Sequence, residues 1–230
     1  MMSIAARFAR LGTDNAPGQE VRQHPVAAAG PVLPGRPVDF SHGDVDAHPP
    51  PPDAFGDFAE GVARGGSQAY TEYRGDAGIR ALLAPRLAAF TGAPVDPDEG
   101  MILTPGSQSA LFLAVAATVT RGDRIAIVQP DYFANRKLAE FLEVEILPVR
   151  LHDPGPAGGA GLDLDQLDAA FRAGARCLLF SNPNNPTGAV CSAEEIARIA
   201  ALAEKHGASV IVDQLYARLV YPGCSFTHLR

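Results

Sequence analysis

Beyond residue 100 the chain alternates between two patterns. Short apolar runs rich in Val, Ile and Leu occur at MILT (101–104), RIAIVQ (124–129), VEILPV (144–149), RCLLFS (176–181) and ASVIVD (208–213). Between them lie stretches with apolar residues at helical spacing, at 107–120, 132–142, 164–173 and 192–206, and no tight hairpin turn joins any two runs. Strands separated by helices cannot pair as hairpins. They predict βαβ units: an α/β fold with a mostly parallel sheet and helices on both faces. Ligands in such sheets bind beyond the carboxyl ends of the strands, so the residues that follow each run are the candidates for function.

The first hundred residues are less regular. Positions 12–53 are rich in Pro, Gly and turn formers and end in HPPPPD, which predicts an irregular arm. A helix is expected at 53–65, and another at 76–91 with Gly92 as its stop. A net charge of −7, with no cluster of Lys or Arg, argues against a nucleic-acid partner. The longest apolar run, ALFLAVAATV (110–119), is too short to cross a bilayer and reads as a buried helix. The start, MMSIAARFARLG, lacks the apolar core of a secretory signal; it suits a short surface helix or a basic, amphipathic transit segment. Cys177, Cys191 and Cys224 are too scattered for a disulfide frame or a zinc site, which points to a reducing cytoplasm, and Cys177 reads as inert core. Lysine is scarce: only Lys137 and Lys205.

Four strand ends carry chemistry. After MILT, Gly106 permits a tight turn, and Ser107 and Gln108 fall in the first turn of a helix. Unpaired N–H groups and small side chains there suit a phosphate, although taken alone the stretch reads first as a plain serine cap on a core helix. The stretch matches neither a P-loop nor G-x-G-x-x-G. After RIAIVQ, Tyr132 offers a ring to stack on a flat ligand, or a rim aromatic. After RCLLFS comes NPNNPTG, where each proline fixes φ and removes a donor, so the asparagine amides are held in fixed directions by a rigid loop. After ASVIV stands Asp213, costly at the end of an apolar strand unless it meets a cationic ring nitrogen or caps the next segment. Tyr216 follows three residues on.

SNPNNPTG followed by VDQLY, with GSQSAL and DY in the right order before them, resembles the class I/II aminotransferases, the fold-type I enzymes that use pyridoxal 5′-phosphate (PLP); the resemblance covers roughly residues 38–221. It implies that Gly106, Ser107 and Gln108 hold the PLP phosphate and that Tyr132 stacks on the pyridine ring. Asn185 and Tyr216 would bond the ring O3′, Asp213 would pair with the ring nitrogen, and Asn185 would also face the substrate. YRGDAGIRALL (73–83) is similar to the segment whose tyrosine reaches the phosphate of a neighbouring subunit, so Tyr73 and a homodimer are implied. FSHGDVD (40–46) is similar to the loop beside the substrate carboxylate, with Gly43 as the candidate, although Val45 stands where the family usually has Pro. The resemblance further implies an N-terminal arm and substrate loop over 1–52, a PLP-binding large domain over 53–230, and a cis Asn185–Pro186 bond. The substrates would be an amino acid and a 2-oxo acid.

The family's Schiff-base lysine follows the Asp-x-x-Tyr strand by a few dozen residues, commonly in a Ser-x-Ser-Lys context. Lys137 and Lys205 have neither that order nor that context and read as surface lysines. The arginine that takes the substrate carboxylate belongs to a C-terminal small domain in the family. The sequence thus reads as the N-terminal portion of an aminotransferase, with no catalytic residue of its own assigned and no metal site. Three alternatives stand beside it. A PLP-dependent lyase or decarboxylase would use the same cradle, a non-catalytic relic would use the fold alone, and a dinucleotide binder would lack its glycine fingerprint.

Overall fold

The computed structural model describes residues 6 and 9, 49–64, 70–152 and 159–229. Helix α1, Ala54–Ala63, falls in a compact unit of its own, 12–71, and buries none of its residues. The second compact unit takes in residues 1–11 and the chain from Glu72 onward.

Its elements run α2 (Ala77–Thr91), α3 (Ser107–Thr118), β1 (Arg124–Gln129), α4 (Phe133–Phe141), β2 (Glu145–Arg150), α5 (Leu164–Arg172), β3 (Ala175–Ser181), α6 (Ala193–His206) and β4 (Ser209–Asp213). The helices start and stop where local chemistry dictates. Asp76 caps α2 by accepting from Ile79 N–H, and Gly92 ends it at φ +70°. Asp163 caps α5 through Gln166 N–H. In α6, Ser192 and Glu195 form a reciprocal capping box, and Gly207 closes the far end in the left-handed conformation.

The four strands form one parallel sheet in the order β2-β1-β3-β4. Alternate side chains go to opposite faces. Ala126, Val128, Leu178 and Phe180 pack with α5 and α6 residues such as Leu167, Phe171 and Ile199. Ile125, Ile127, Cys177 and Leu179 pack with Leu111 and Val115 of α3 and Ala139 of α4. Each such fully buried aliphatic side chain contributes about 1.5–3 kcal/mol. This is the α/β architecture that the alternation predicts.

One run departs from expectation. MILT (101–104) is not a strand. Leu103 donates its N–H to the Arg74 carbonyl at 2.9 Å, and its side chain lies against Gly75. Among the described residues no strand runs beside it, so apolar character alone does not make it part of a ladder. Outside the sheet, Leu151 and Leu162 form a single antiparallel bridge.

The strand order locates the crevice. From β1 the chain crosses through α4 to β2 on one side, and from β3 it crosses through α6 to β4 on the other. The connections leaving β1 and β3 therefore diverge, which opens a gap beyond their carboxyl ends.

Candidate functional site

At those strand ends lies a crevice of about 160 Å³, lined by Ser107, Gln108, Leu111, Tyr132, Ser181, Asn185, Asp213, Leu215 and Tyr216. Six of the nine are residues singled out in the sequence, and they come from four segments. An adjoining, more apolar hollow of about 300 Å³ shares Asn185 and Tyr216.

Gly106 is the N-cap of α3, at φ +86°, a conformation that favours glycine. No side chain caps this end, in contrast to α2, α5 and α6. Ser107 is the first helical residue rather than the cap, so the plain serine-cap reading is not realised. Nothing lies within 4 Å of where a Gly106 Cβ would stand. The first N–H groups of a helix have no partner within it, and here they border the crevice with room for an anion.

NPNNPTG divides its asparagines between two tasks. Asn182 accepts from Cys191 N–H at 3.0 Å through its side chain, and its own N–H donates to the Asp213 carbonyl at 2.9 Å. Asn184 donates to the Pro130 carbonyl at 3.1 Å and accepts from the Thr187 N–H and hydroxyl at 3.2 and 2.7 Å. Both are buried staples. Asn185 is tied only through its backbone, whose N–H donates to Ser181 Oγ at 3.0 Å, and its amide lines the crevice. The peptide bonds preceding Pro130, Pro183 and Pro186 are all cis, so the expected cis bond at Pro186 is present together with two others.

Asp213 sits at the end of β4 opposite Ser181. Its Oδ1 accepts from Leu215 N–H at 3.1 Å, so the carboxylate caps the following turn and lines the crevice as well. That turn, 215–218, carries Tyr216 to the rim. Tyr132 is the N-cap of α4, with its ring 4.8 Å from that of Phe133.

Tyr73, expected to reach a neighbouring subunit, is fully exposed and does not line this crevice. Gly43 lies outside the described residues. Neither lysine lines it: Lys205 pairs with Asp168 at 3.0 Å on the surface, and Lys137 lies within α4.

Sequence reasoning missed the residues behind the lining. Asp131, just before Tyr132, accepts from Ser181 and from two asparagine amides. A carboxylate flanking a strand-end aromatic was the available signal. Arg80 is buried at 2% exposure and reads in sequence as an ordinary helix position. It donates to the Gly75 and Pro97 carbonyls and pairs with Glu72 at 2.6 Å and Asp98 at 3.1 Å. It thereby anchors the turn that presents Tyr73. Cys177 and Cys191 are buried, and burial pushes both thiols up to about 12. Cys177 is thus the inert core residue expected. Among the described residues no helix is long and apolar enough to cross a membrane.

Three comparisons bear on this arrangement. The profile of the family described as Aminotransferase class I and II matches residues 37–230. A solved structure of an aspartate aminotransferase from Rhodobacter sphaeroides is 64% identical, with a TM-score of 0.84, covering 99% of this chain and 56% of that one. A probable N-succinyldiaminopimelate aminotransferase of Mycobacterium tuberculosis is 31% identical over 163 residues, 71% of this chain and 41% of that protein. A putative aminotransferase of Bacillus subtilis is 32% identical over 157 residues, 67% of this chain and 40% of that protein. The chain spans about half the length of the relatives it matches.

Proposed function

Since the chain belongs to the class I and II aminotransferases, we propose that its crevice is the PLP site of an enzyme that moves an amino group between an amino acid and a 2-oxo acid. The observation that carries this is the convergence of an uncapped helix N-terminus, an aromatic ring, a free asparagine amide and a strand-end carboxylate on one crevice. The donor set fits the group. The open end of α3, with Ser107 and Gln108, suits a phosphate dianion. Asp213 suits a protonated pyridine nitrogen, Tyr132 a flat ring, and Asn185 and Tyr216 a phenolic oxygen.

When bound, PLP supplies an electron sink for charge developing at Cα of the amino acid. The residues of this chain bind and orient. Asp213 keeps a proton on the ring nitrogen, which is what makes the ring electron-poor. Tyr132 fixes the ring plane. Asn185 and Tyr216 would hold the ring's phenolic oxygen by hydrogen bonds. Tyr73, held out by the Arg80 cluster, serves the phosphate of a second subunit in a homodimer. Gly43 borders the substrate carboxylate. On this reading residues 1–52 are assigned to the N-terminal arm and substrate loop, and 53–230 to the PLP-binding large domain. The Schiff-base lysine is assigned to the remaining length of the relatives, since Lys137 and Lys205 stand away from the crevice. The protein's setting on this reading is cytoplasmic amino-acid metabolism.

The Rhodobacter structure names aspartate in its activity, so aspartate with 2-oxoglutarate is the first pair to try. The complete protein loaded with PLP is expected to convert 2-oxoglutarate to glutamate only when an amino donor is present. Ammonia release from the donor without any 2-oxo acid would instead establish the lyase chemistry. Absence of both reactions, with PLP bound, would leave the fold without this activity.

A further inference from the structure

Asp131 lies outside the lining of the crevice, yet two of its lining residues depend on it. Its Oδ1 accepts from Tyr132 N–H at 2.6 Å, Asn135 Nδ2 at 2.9 Å and Ser181 Oγ at 2.9 Å. Its Oδ2 accepts from Ser181 N–H at 2.9 Å and Asn184 Nδ2 at 3.3 Å. Ser181 Oγ, having donated its proton to Asp131, accepts from Asn185 N–H at 3.0 Å. One carboxylate therefore ties the end of β1, the end of β3, the first turn of α4 and the asparagine loop. All five groups that donate to it are neutral.

We propose that Asp131 is a positioning residue that sets Tyr132 and Asn185 together, so that the stacking ring and the asparagine amide keep one spacing across the crevice. This rests on the reading of that crevice as the PLP site. One arm is direct: the Tyr132 N–H on Oδ1 fixes the backbone from which the ring projects. The other runs through Ser181 Oγ to the Asn185 backbone. Only an acceptor on both oxygens serves both arms, because every partner donates. An asparagine in this place would turn one oxygen into an NH₂ facing at least two donors. The charge is not favoured by the fold: burial, the largest influence, raises the Asp131 carboxyl above its ordinary range although the donated hydrogen bonds pull it down. A fully acceptor-type group is thus kept where a neutral one is easier to bury.

The test is PLP binding to the complete protein with Asp131→Asn, read by the dissociation constant of PLP and by the induced circular dichroism of the bound ring, beside urea unfolding of the unliganded protein. The expected result is a dissociation constant raised about tenfold, as for a ring and a hydrogen bond both out of line. The dichroic band should weaken, and any fall in the unfolding midpoint should not scale with the loss of binding across this variant and Ser181→Ala. Ser181→Ala cuts only the Asn185 arm and is expected to weaken binding less. The double variant should lose less than the sum of the two, since both act through one relay. Wild-type binding and dichroism in Asp131→Asn, with Tyr132→Ala and Asn185→Ala both weakened, would overturn the positioning role and leave the PLP site standing. Wild-type binding in Tyr132→Ala and Asn185→Ala would overturn the site itself. A fall in unfolding midpoint that tracks the loss of binding across Asp131→Asn and Ser181→Ala would reduce Asp131 to a structural residue.

Discussion

Asp131, after β1, and Glu195, in the first turn of α6, both gather hydrogen-bond donors from distant parts of the chain. Glu195 accepts from four backbone N–H groups: Ala160 at 3.0 Å, Gly161 at 2.8 Å, Leu162 at 3.2 Å and Ser192 at 2.7 Å. Burial, the largest influence on Glu195, works to raise its carboxyl, but the combined hydrogen bonds win and bring it below its ordinary range. At Asp131 burial wins. The sign of the net shift separates the two roles. A carboxylate whose ionised form the fold prefers contributes stability at neutral pH; one whose ionised form it resists detracts from it. Glu195 secures the 159–162 segment to α6. Asp131 carries a charge that stability does not reward, at the edge of the crevice.

The largest expected effect breaks the pair apart. Glu195→Ala leaves four N–H groups without their acceptor and removes half of a capping box. Partial exposure lets water replace some of those bonds, so a loss of about 2–3 kcal/mol in urea unfolding is expected. Asp131→Asn should cost clearly less stability while costing more in PLP binding. If both variants lose stability equally, the division between a fold-holding and a site-holding carboxylate is wrong.

The asparagine loop repeats the contrast on a smaller scale. Asn184→Ala removes acceptor and donor bonds that staple the loop to Pro130, Asp131 and Thr187, and about 1–2 kcal/mol is expected to be lost. Asn185→Ala removes a side chain that faces the crevice, so stability should change by less than about 0.5 kcal/mol while PLP binding weakens. Paired unfolding and binding titrations read both numbers. A large stability loss at Asn185 would show that its amide also serves the loop.

The two carboxylates should also respond to acid in opposite senses. Glu195, with its folded value lowered, contributes stability above the ordinary glutamate range and loses it as pH falls through the folded value. Asp131, with its folded value raised, contributes stability below the ordinary aspartate range and loses it as pH rises through the folded value. The advantage of wild type over Glu195→Gln should therefore shrink from neutral pH toward pH ~4. Measured against Asp131→Asn, wild type should gain over the same interval. Urea melts of the three proteins across that interval give the two slopes. Slopes of the same sign would remove the electrostatic basis of the comparison.

The scaffold was easier to read from sequence than its internal bracing. β1 was expected at 124–129 and lies there; α6 was expected at 192–206 and starts one residue later, because Ser192 is its cap. Such elements declare themselves through period and local capping. MILT failed because a strand is a property of two chains and not of one apolar run. Six lining residues of the crevice were legible because topology brings strand ends together wherever they lie in sequence. Asp131 was not, because its bonds to Ser181 join positions 50 residues apart. No local pattern encodes such a bond. Arg80 was hidden for the same reason: its carboxylate and carbonyl partners come from two separate turns.

The smallest expected effect is at Lys205. It lies in the last turn of α6, toward the amino end of β4, whereas the crevice lies beyond the carboxyl end. Five residues of strand separate the two by about 17 Å, further than a lysine side chain reaches. Its ammonium instead meets Asp168, which is held down to about 2, first by His206 and then by Lys205 itself. An exposed pair of this kind contributes little to stability. Lys205→Met should therefore leave unfolding, PLP affinity and the dichroism of bound PLP unchanged in the complete protein. Should it abolish the dichroic band, a lysine at the wrong end of the sheet would be holding the cofactor. The crevice between β1 and β3, with Asp131 behind it, would then not be where PLP sits.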